Sequence, residues 1–112
     1  MSIKKYTVDS SDTLDVVISK IMISSERTVF VLFKKKVIGT ISEGDVLRSL
    51  LQKKNLKSPA KNIMHKSFKF LNDKNDTSTA KKIFKRHNVS IIPMLNKDFE
   101  LISLIKMKDL LN

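Results

Sequence analysis

An α+β fold made of two βαββα repeats, paired about a pseudo-twofold axis within the chain, is what this sequence predicts, and three observations lead there. Shifting the 112-residue chain by 64 positions brings like features into register. Each half carries an amphipathic helical stripe, then two short β-branched runs, then a second helix start. Each half is also only about 50 residues long. That is too small to bury enough apolar surface by itself, so two copies are expected to pack sheet to sheet around one core, leaving clefts bordered by helix N-termini.

Under this shift Asp12-Thr13 falls on Asp76-Thr77, Ile38 on Ile102, Ile41 on Ile105 and Asp45 on Asp109, with a one-residue slip in the helices between. In chain order, "IKKYTV" (3–8) is an extended lead-in. Asp12 is placed to cap a helix, with Asp15 as the acid three residues on. Leu14, Val17, Ile18, Ile21 and Met22 form the apolar stripe of that helix. "TVFVLF" (28–33) reads as a buried strand, the lysines at 34–36 as a turn and "VIGTI" (37–41) as the return strand of a hairpin. A helix then opens at Asp45, with Leu47, Leu50 and Leu51 on one face. Between the halves, "NLKSPAKNIM" holds a Ser58-Pro59 helix start and "KSFKFL" (66–71) is a second lead-in. Asp76 caps the next helix, whose stripe is Ala80, Ile83, Phe84 and His87. "SIIPML" (90–95) and "LISLI" (101–105) are strands joined by the turn "NKDFE" (96–100), and "KDLLN" opens a last, truncated helix. The repeats are placed at 1–56 and 57–112.

Composition removes several function classes. Apolar residues at 41% and charged residues at 29% describe an ordinary globular chain rather than a disordered one. No apolar run is long enough to span a bilayer, and "MSIKKYTV" has no apolar segment behind its lysines, so neither a membrane span nor a signal peptide is expected. The absence of cysteine excludes disulfides and thiol chemistry and suits a reducing compartment, so a cytoplasmic location is expected. His65 and His87 lie in unrelated segments, so no metal site is expected. No nucleophile–base pair or carboxylate dyad occurs at usable spacing, so no catalytic residue is assigned and the chain is read as a non-enzyme. The net charge of +11 favours anionic partners. Its lysines are scattered, however, and one Tyr, no Trp and six Phe that mostly sit in apolar strands or helices leave few rings to stack on bases, which argues against nucleic acid.

The run "VIGTISEGDVLRSLL" (37–51) raises two readings of Ser42-x-x-Asp45. One is a helix N-terminal cap with its reciprocal acid. The other is a ligand grip, since a carboxylate takes both hydroxyls of a vicinal diol and helix N-termini attract phosphate. His87, on a helical stripe, reads as a half-buried structural histidine.

In element order and in these residues the chain resembles the tandem cystathionine-β-synthase (CBS) domain pair, or Bateman module. The family pattern, Gly-hydrophobic-x-Ser/Thr-x-x-Asp at a helix mouth, is met by Gly39, Ser42 and Asp45. In the second copy Ser103 and Lys106 replace the glycine and the hydroxyl, and Asp109 keeps the acid. "IPM" (92–94) and "SPAKNIM" (58–64) resemble the family's second-repeat strand and linker. The resemblance implies a regulatory module that binds an adenine nucleotide, AMP foremost, with no other cofactor. It implies ribose contacts at Ser42, Asp45 and Asp109, and phosphate contacts at Arg48, Lys106, His65, Lys66 and Arg86. Base contacts are implied at Tyr6, Thr7, Val8 and Thr28 for one cleft, and at Ile63, Met64, Ile92 and Pro93 for the other. With Lys106 in place of a hydroxyl, either the first cleft alone binds or the second takes a more anionic ligand. The family also implies a homodimer. "GTISEGDVLRSLLQ" (39–52) is similar to the CBS pairs fused ahead of bacterial sugar-nucleotide transferases, so a following enzymatic domain is expected. A ligand-free dimerisation module and a basic nucleic-acid-binding domain stand as alternatives.

Overall fold

The computed structural model describes residues 3–72 and 77–110. The chain divides into two compact units, Met1–Phe68 and Lys69–Asn112.

The first unit opens with a 3-10 turn, Ile3–Tyr6, and continues as β1 (Thr7–Asp9), α1 (Leu14–Ile23), β2 (Thr28–Phe33), β3 (Lys36–Ser42) and α2 (Glu43–Leu51). β1 runs parallel to β2 and β3 antiparallel to it, in the order β1-β2-β3. The parallel pair needs a crossover, which α1 supplies. Val37, Gly39 and Ile41 face inward along β3 while their neighbours do not, the period of two expected of a half-buried strand. The core joins Val8, Leu14, Val17, Ile21, Val29, Val31, Ile41, Val46 and Ala60.

Ala60 belongs to the segment after α2, and that segment completes the unit. The Leu14 N–H donates to the Ser58 carbonyl at 2.9 Å, the Asp15 N–H to Leu56 at 3.0 Å, and the Ala60 N–H to Asp12 at 2.7 Å. Amides at the start of α1, which have no partner within the helix, are thereby satisfied by linker carbonyls. Asp12 is therefore not the cap expected of it. Thr13 occupies the N-cap without a side-chain cap bond, and the Asp12 carboxylate instead accepts from the Asp9 N–H at 2.8 Å. Farther on, Thr40 and His65 exchange backbone hydrogen bonds of 3.0 and 2.8 Å, extending the sheet beyond β3 by one pair. A Cβ on Gly39 would sit 2.6 Å from the Met64 sulfur, so glycine is what lets this segment close on the strand.

The second unit holds α3 (Thr77–Arg86), β4 (Ile91–Leu95), β5 (Leu101–Lys106) and α4 (Met107–Leu110). β4 and β5 are antiparallel. The lead-in expected over 66–71 reduces to one bridge, Leu71 with Met94, its amide donating to Pro93 at 3.0 Å. Leu71, Ala80, Phe84, Ile92 and Met94 form the core. The expected cap Asp76 lies outside the described residues.

The repeat is structural in detail. Both hairpins break register at equivalent points, Val31/Leu32 and Met94/Leu95, which leaves Ile38 and Ile102 as the extra residues on the return strands. The Glu43 N–H donates to Arg27 at 3.0 Å where the Met107 N–H donates to Ser90 at 2.9 Å. The first turn of each closing helix is thus tied to the residue just before the first strand of its hairpin.

Two expected faces are corrected. Leu47, Leu50 and Leu51 are 56%, 43% and 82% exposed, while Val46 and Ser49 are buried. The helix starts at Glu43 with Ser42 as its cap, so 46 and 49 take the core-facing phase. Met22, assigned to the stripe of α1, is exposed in the last turn. His87 is neither helical nor half-buried, because α3 ends at Arg86 and His87 is exposed beyond it.

Candidate functional site

The site in the first unit is built where β3 ends and α2 begins. Ser42 is the last residue of β3, paired with Thr28 across the sheet, and its extended backbone (φ −101°, ψ 170°) places it as N-cap of α2. Its hydroxyl accepts from the Asp45 N–H at 3.3 Å, and the Asp45 Oδ2 accepts from the Ser42 N–H at 2.9 Å and from the Ser42 hydroxyl at 3.0 Å. This is a reciprocal capping box. The other oxygen, Oδ1, accepts from Arg48 Nη2, one turn along the helix. The Asp45 side chain is 14% exposed and that of Arg48 is 66% exposed. The capping reading of Ser42-x-x-Asp45 is thus what the geometry displays, and the carboxylate it holds still reaches the surface.

Around this carboxylate lie Thr28, opposite Ser42, and Arg27, whose carbonyl receives the first amide of α2. Arg27 has a left-handed backbone, φ 52°, and its guanidinium donates to the Met22 carbonyl at 3.3 Å, so it ties the end of α1 to the mouth of α2. Sequence reasoning passed over Arg27. Only the turn position between helix and strand pointed to it, and no glycine or asparagine marked the left-handed residue.

The structure regroups the expected contacts. Ile63 and Met64 pack against the core of the first unit, and His65 pairs with Thr40, two residues before Ser42. These residues therefore share a strand end with Ser42 and Asp45, within the compact unit that ends at Phe68. His65 and Lys66 are exposed. Tyr6, Thr7 and Val8 are buried. The Tyr6 hydroxyl donates to Glu26 at 2.9 Å, and β1 lies across β2 from β3, roughly 10 Å away at the usual strand spacing. Their backbone, not their side chains, is what that edge offers.

In the second unit Lys106 ends β5 and Asp109 is exposed on α4, with no capping hydroxyl before it. Ile92 is wholly buried and Pro93 is among the most buried side chains. Arg86 is exposed at the end of α3. The second unit thus lacks the reciprocal Ser–Asp box of the first.

Among the described residues no group of three His, Cys, Asp or Glu side chains could hold a metal. No described helix is long and apolar enough to cross a membrane.

Comparison with known proteins agrees with this architecture. A CBS domain protein from Pyrobaculum aerophilum, solved in complex with AMP, superposes with a TM-score of 0.74 at 23% identity, covering 92% of this chain and 80% of that one. The CBS domains of a transcriptional regulator from Streptococcus pneumoniae give a TM-score of 0.83 at 12% identity, covering 99% and 91%. The cytosolic domain of the Mg2+ channel MgtE, solved with ATP, gives 0.78 at 13% identity, covering 96% of this chain and 44% of that one. At these identities the likeness is one of fold. No curated protein matches the sequence. The CBS domain family model matches residues 1–52 and again 60–112, so the chain belongs to the CBS domain family, as a tandem pair.

Proposed function

We propose that this chain is a regulatory module that binds an adenine nucleotide, AMP foremost, with Asp45 taking the ribose hydroxyls. The observation that carries this reading is the Asp45 carboxylate itself. It is oriented by the Ser42 backbone and hydroxyl, it sits at a helix mouth, and among the described residues its outer oxygen is met by an exposed arginine. An oriented carboxylate is an acceptor for a vicinal diol, and the amides of the helix mouth with Arg48, His65 and Lys66 supply the positive surroundings a phosphate requires. Met64 and Ile63, on the same strand end, offer apolar surface to a base. That CBS proteins of this fold were solved with AMP and with ATP supports the ligand class.

On this reading nucleotide binding biases an attached enzyme by differing affinity for two arrangements of that enzyme. The likeness of "GTISEGDVLRSLLQ" to the pairs fused to sugar-nucleotide transferases makes a sugar-phosphate nucleotidyltransferase our choice of partner domain. The second unit, with Lys106 where Ser42 stands in the first, contributes at most a weaker site through Asp109.

A thermal-shift titration with AMP, ADP, ATP and GMP tests this on the wild type and on Asp45→Ala. A saturable, adenine-selective rise in Tm that disappears in the variant supports the reading. Equal shifts with GMP, or no shift with any nucleotide, would sink it. A second reading, association of two copies, rests on exposed Met22, Ile23, Leu47, Leu50 and Leu51 of α1 and α2. The two readings are compatible.

A further inference from the structure

The lone pairs of Asp45 are nearly all in use. A carboxylate offers about four acceptor positions, two on each oxygen. Oδ2 takes the Ser42 N–H at 2.9 Å and the Ser42 hydroxyl at 3.0 Å, which fills it. Oδ1 takes Arg48 Nη2, and that leaves one position. A vicinal diol donates two hydrogen bonds. The carboxylate can accept both only when Arg48 lets go.

Arg48 is built to let go. Its side chain is 66% exposed and stands three residues along α2 from its partner. Its guanidinium lies over Gly44, where an added Cβ would find Nη1 at 3.6 Å and Nη2 at 4.0 Å. An exposed pair of this spacing contributes little to stability, so its release lowers the affinity of an incoming diol by no more than about five-fold. The fate of the released guanidinium depends on the ligand. A ribose with no phosphate leaves it with water. A ribose carrying a 5′-phosphate gives it a new anion within reach of the same helix turn, and guanidinium and phosphate match in geometry as well as charge.

Resting on the ribose role proposed for Asp45, we infer that Arg48 is a specificity filter. It competes with the bare diol for the carboxylate and is recruited by the phosphate, so the site rejects nucleosides and accepts nucleotides. Arg48 acts here as a displaceable counter-ion, and its removal has opposite effects on the two ligand classes.

Calorimetric titration of the whole chain with adenosine and with AMP, on wild type, Arg48→Ala and Arg48→Lys, tests the filter. The wild type should prefer AMP by about ten-fold or more. Arg48→Ala should bind adenosine about two- to five-fold more tightly and AMP more weakly, so that the preference collapses. Arg48→Lys should keep part of the preference through charge alone. Alanine is a better helix former than arginine, so loss of fold is not expected to obscure the result. If the wild type binds AMP but Arg48→Ala leaves the adenosine affinity and the AMP-to-adenosine ratio unchanged, the filter is overturned and the ribose role of Asp45 stands. If the wild type binds neither ligand, both fall.

Discussion

Five described non-glycine residues, Arg27, Lys34, Lys35, Lys53 and Phe99, have positive φ, while neither of the two glycines does. A left-handed backbone costs a residue with a Cβ about 1–2 kcal/mol, so this chain places lysines where glycine or asparagine would be easier. Lys34 and Lys35 form the two-residue β2–β3 turn, with φ 50° and 70°, the primed geometry that favours Asn-Gly. Lys53 sits at the left-handed position of a closing motif in which Lys54 N–H reaches Ser49 and Lys53 N–H reaches Leu50, both at 3.0 Å. Lys53→Gly should therefore stabilise the fold by about 1 kcal/mol in urea denaturation. A loss of stability would contradict this account of the turn. Ser24 supplies a second residue-scale prediction. It is 1% exposed, and its hydroxyl has no hydrogen-bond partner among the described residues. Ser24→Ala should be neutral or stabilising by about 1 kcal/mol, since it removes a buried, unsatisfied hydroxyl. Of the two glycines, Gly39 is required by a close contact instead. Gly39→Ala would push a methyl into Met64 and should cost about 1–3 kcal/mol. A double-mutant cycle with Met64→Ala should recover part of that cost, and simple additivity would disprove the contact.

At the scale of elements, the helix stripes and hairpins were legible because their periods are written in apolar residues such as Leu14, Val17 and Ile21 or Val29 and Val31. Ser42-x-x-Asp45 was legible as a cap for the same local reason. What escaped was set by partners distant in sequence. Asp12 looked like the cap of α1, but the linker carbonyls of Leu56 and Ser58 reach those amides, and no local pattern reports a backbone acceptor arriving from forty residues away. The Leu47, Leu50 and Leu51 face was misassigned because α2 is phased from Ser42, ahead of its apparent start in the sequence. The linker's hold on α1 has an electrostatic part as well. Lys57 Nζ lies 2.8 Å from Asp15 Oδ2. The Lys57 hydrogen bond, then that of Thr13, holds the Asp15 carboxyl well below its ordinary 3.8, at about 2. Because the folded value is the lower one, this contact stabilises the fold above the ordinary carboxylate range and is lost as pH falls from about 4 to about 2. In Lys57→Ala, the Asp15 side-chain titration followed by NMR should move up toward its ordinary value. An unmoved midpoint would refute the linker contact.

At the scale of the molecule, duplication explains both what was readable and what was not. Feature order survives in both halves, down to the paired bulges at Ile38 and Ile102, and so the fold class could be read from a chain whose halves share few identities. The chemistry does not survive equally. The first unit keeps the Ser42–Asp45 box, and the second presents Lys106 and Asp109 on a short α4. The grouping of Ile63, Met64 and His65 with the first unit was hidden because only the Gly39 crevice and the Thr40 edge show where they dock. Exposed leucines on α2 give a separate expectation. Leu51→Glu should shift the chain toward monomer in sedimentation velocity without loss of helical content, and an unchanged mass would remove that face from any self-association. The central claim is that an adenine nucleotide binds at the Ser42–Asp45 mouth. Its most direct test is an AMP titration of the 15N-labelled chain followed by amide NMR. Saturable shifts confined to Thr28, Thr40 to Arg48 and Met64 to Lys66 are expected, and they should vanish in Asp45→Asn. Shifts centred on the basic helix α3, or none at saturating AMP, would contradict it.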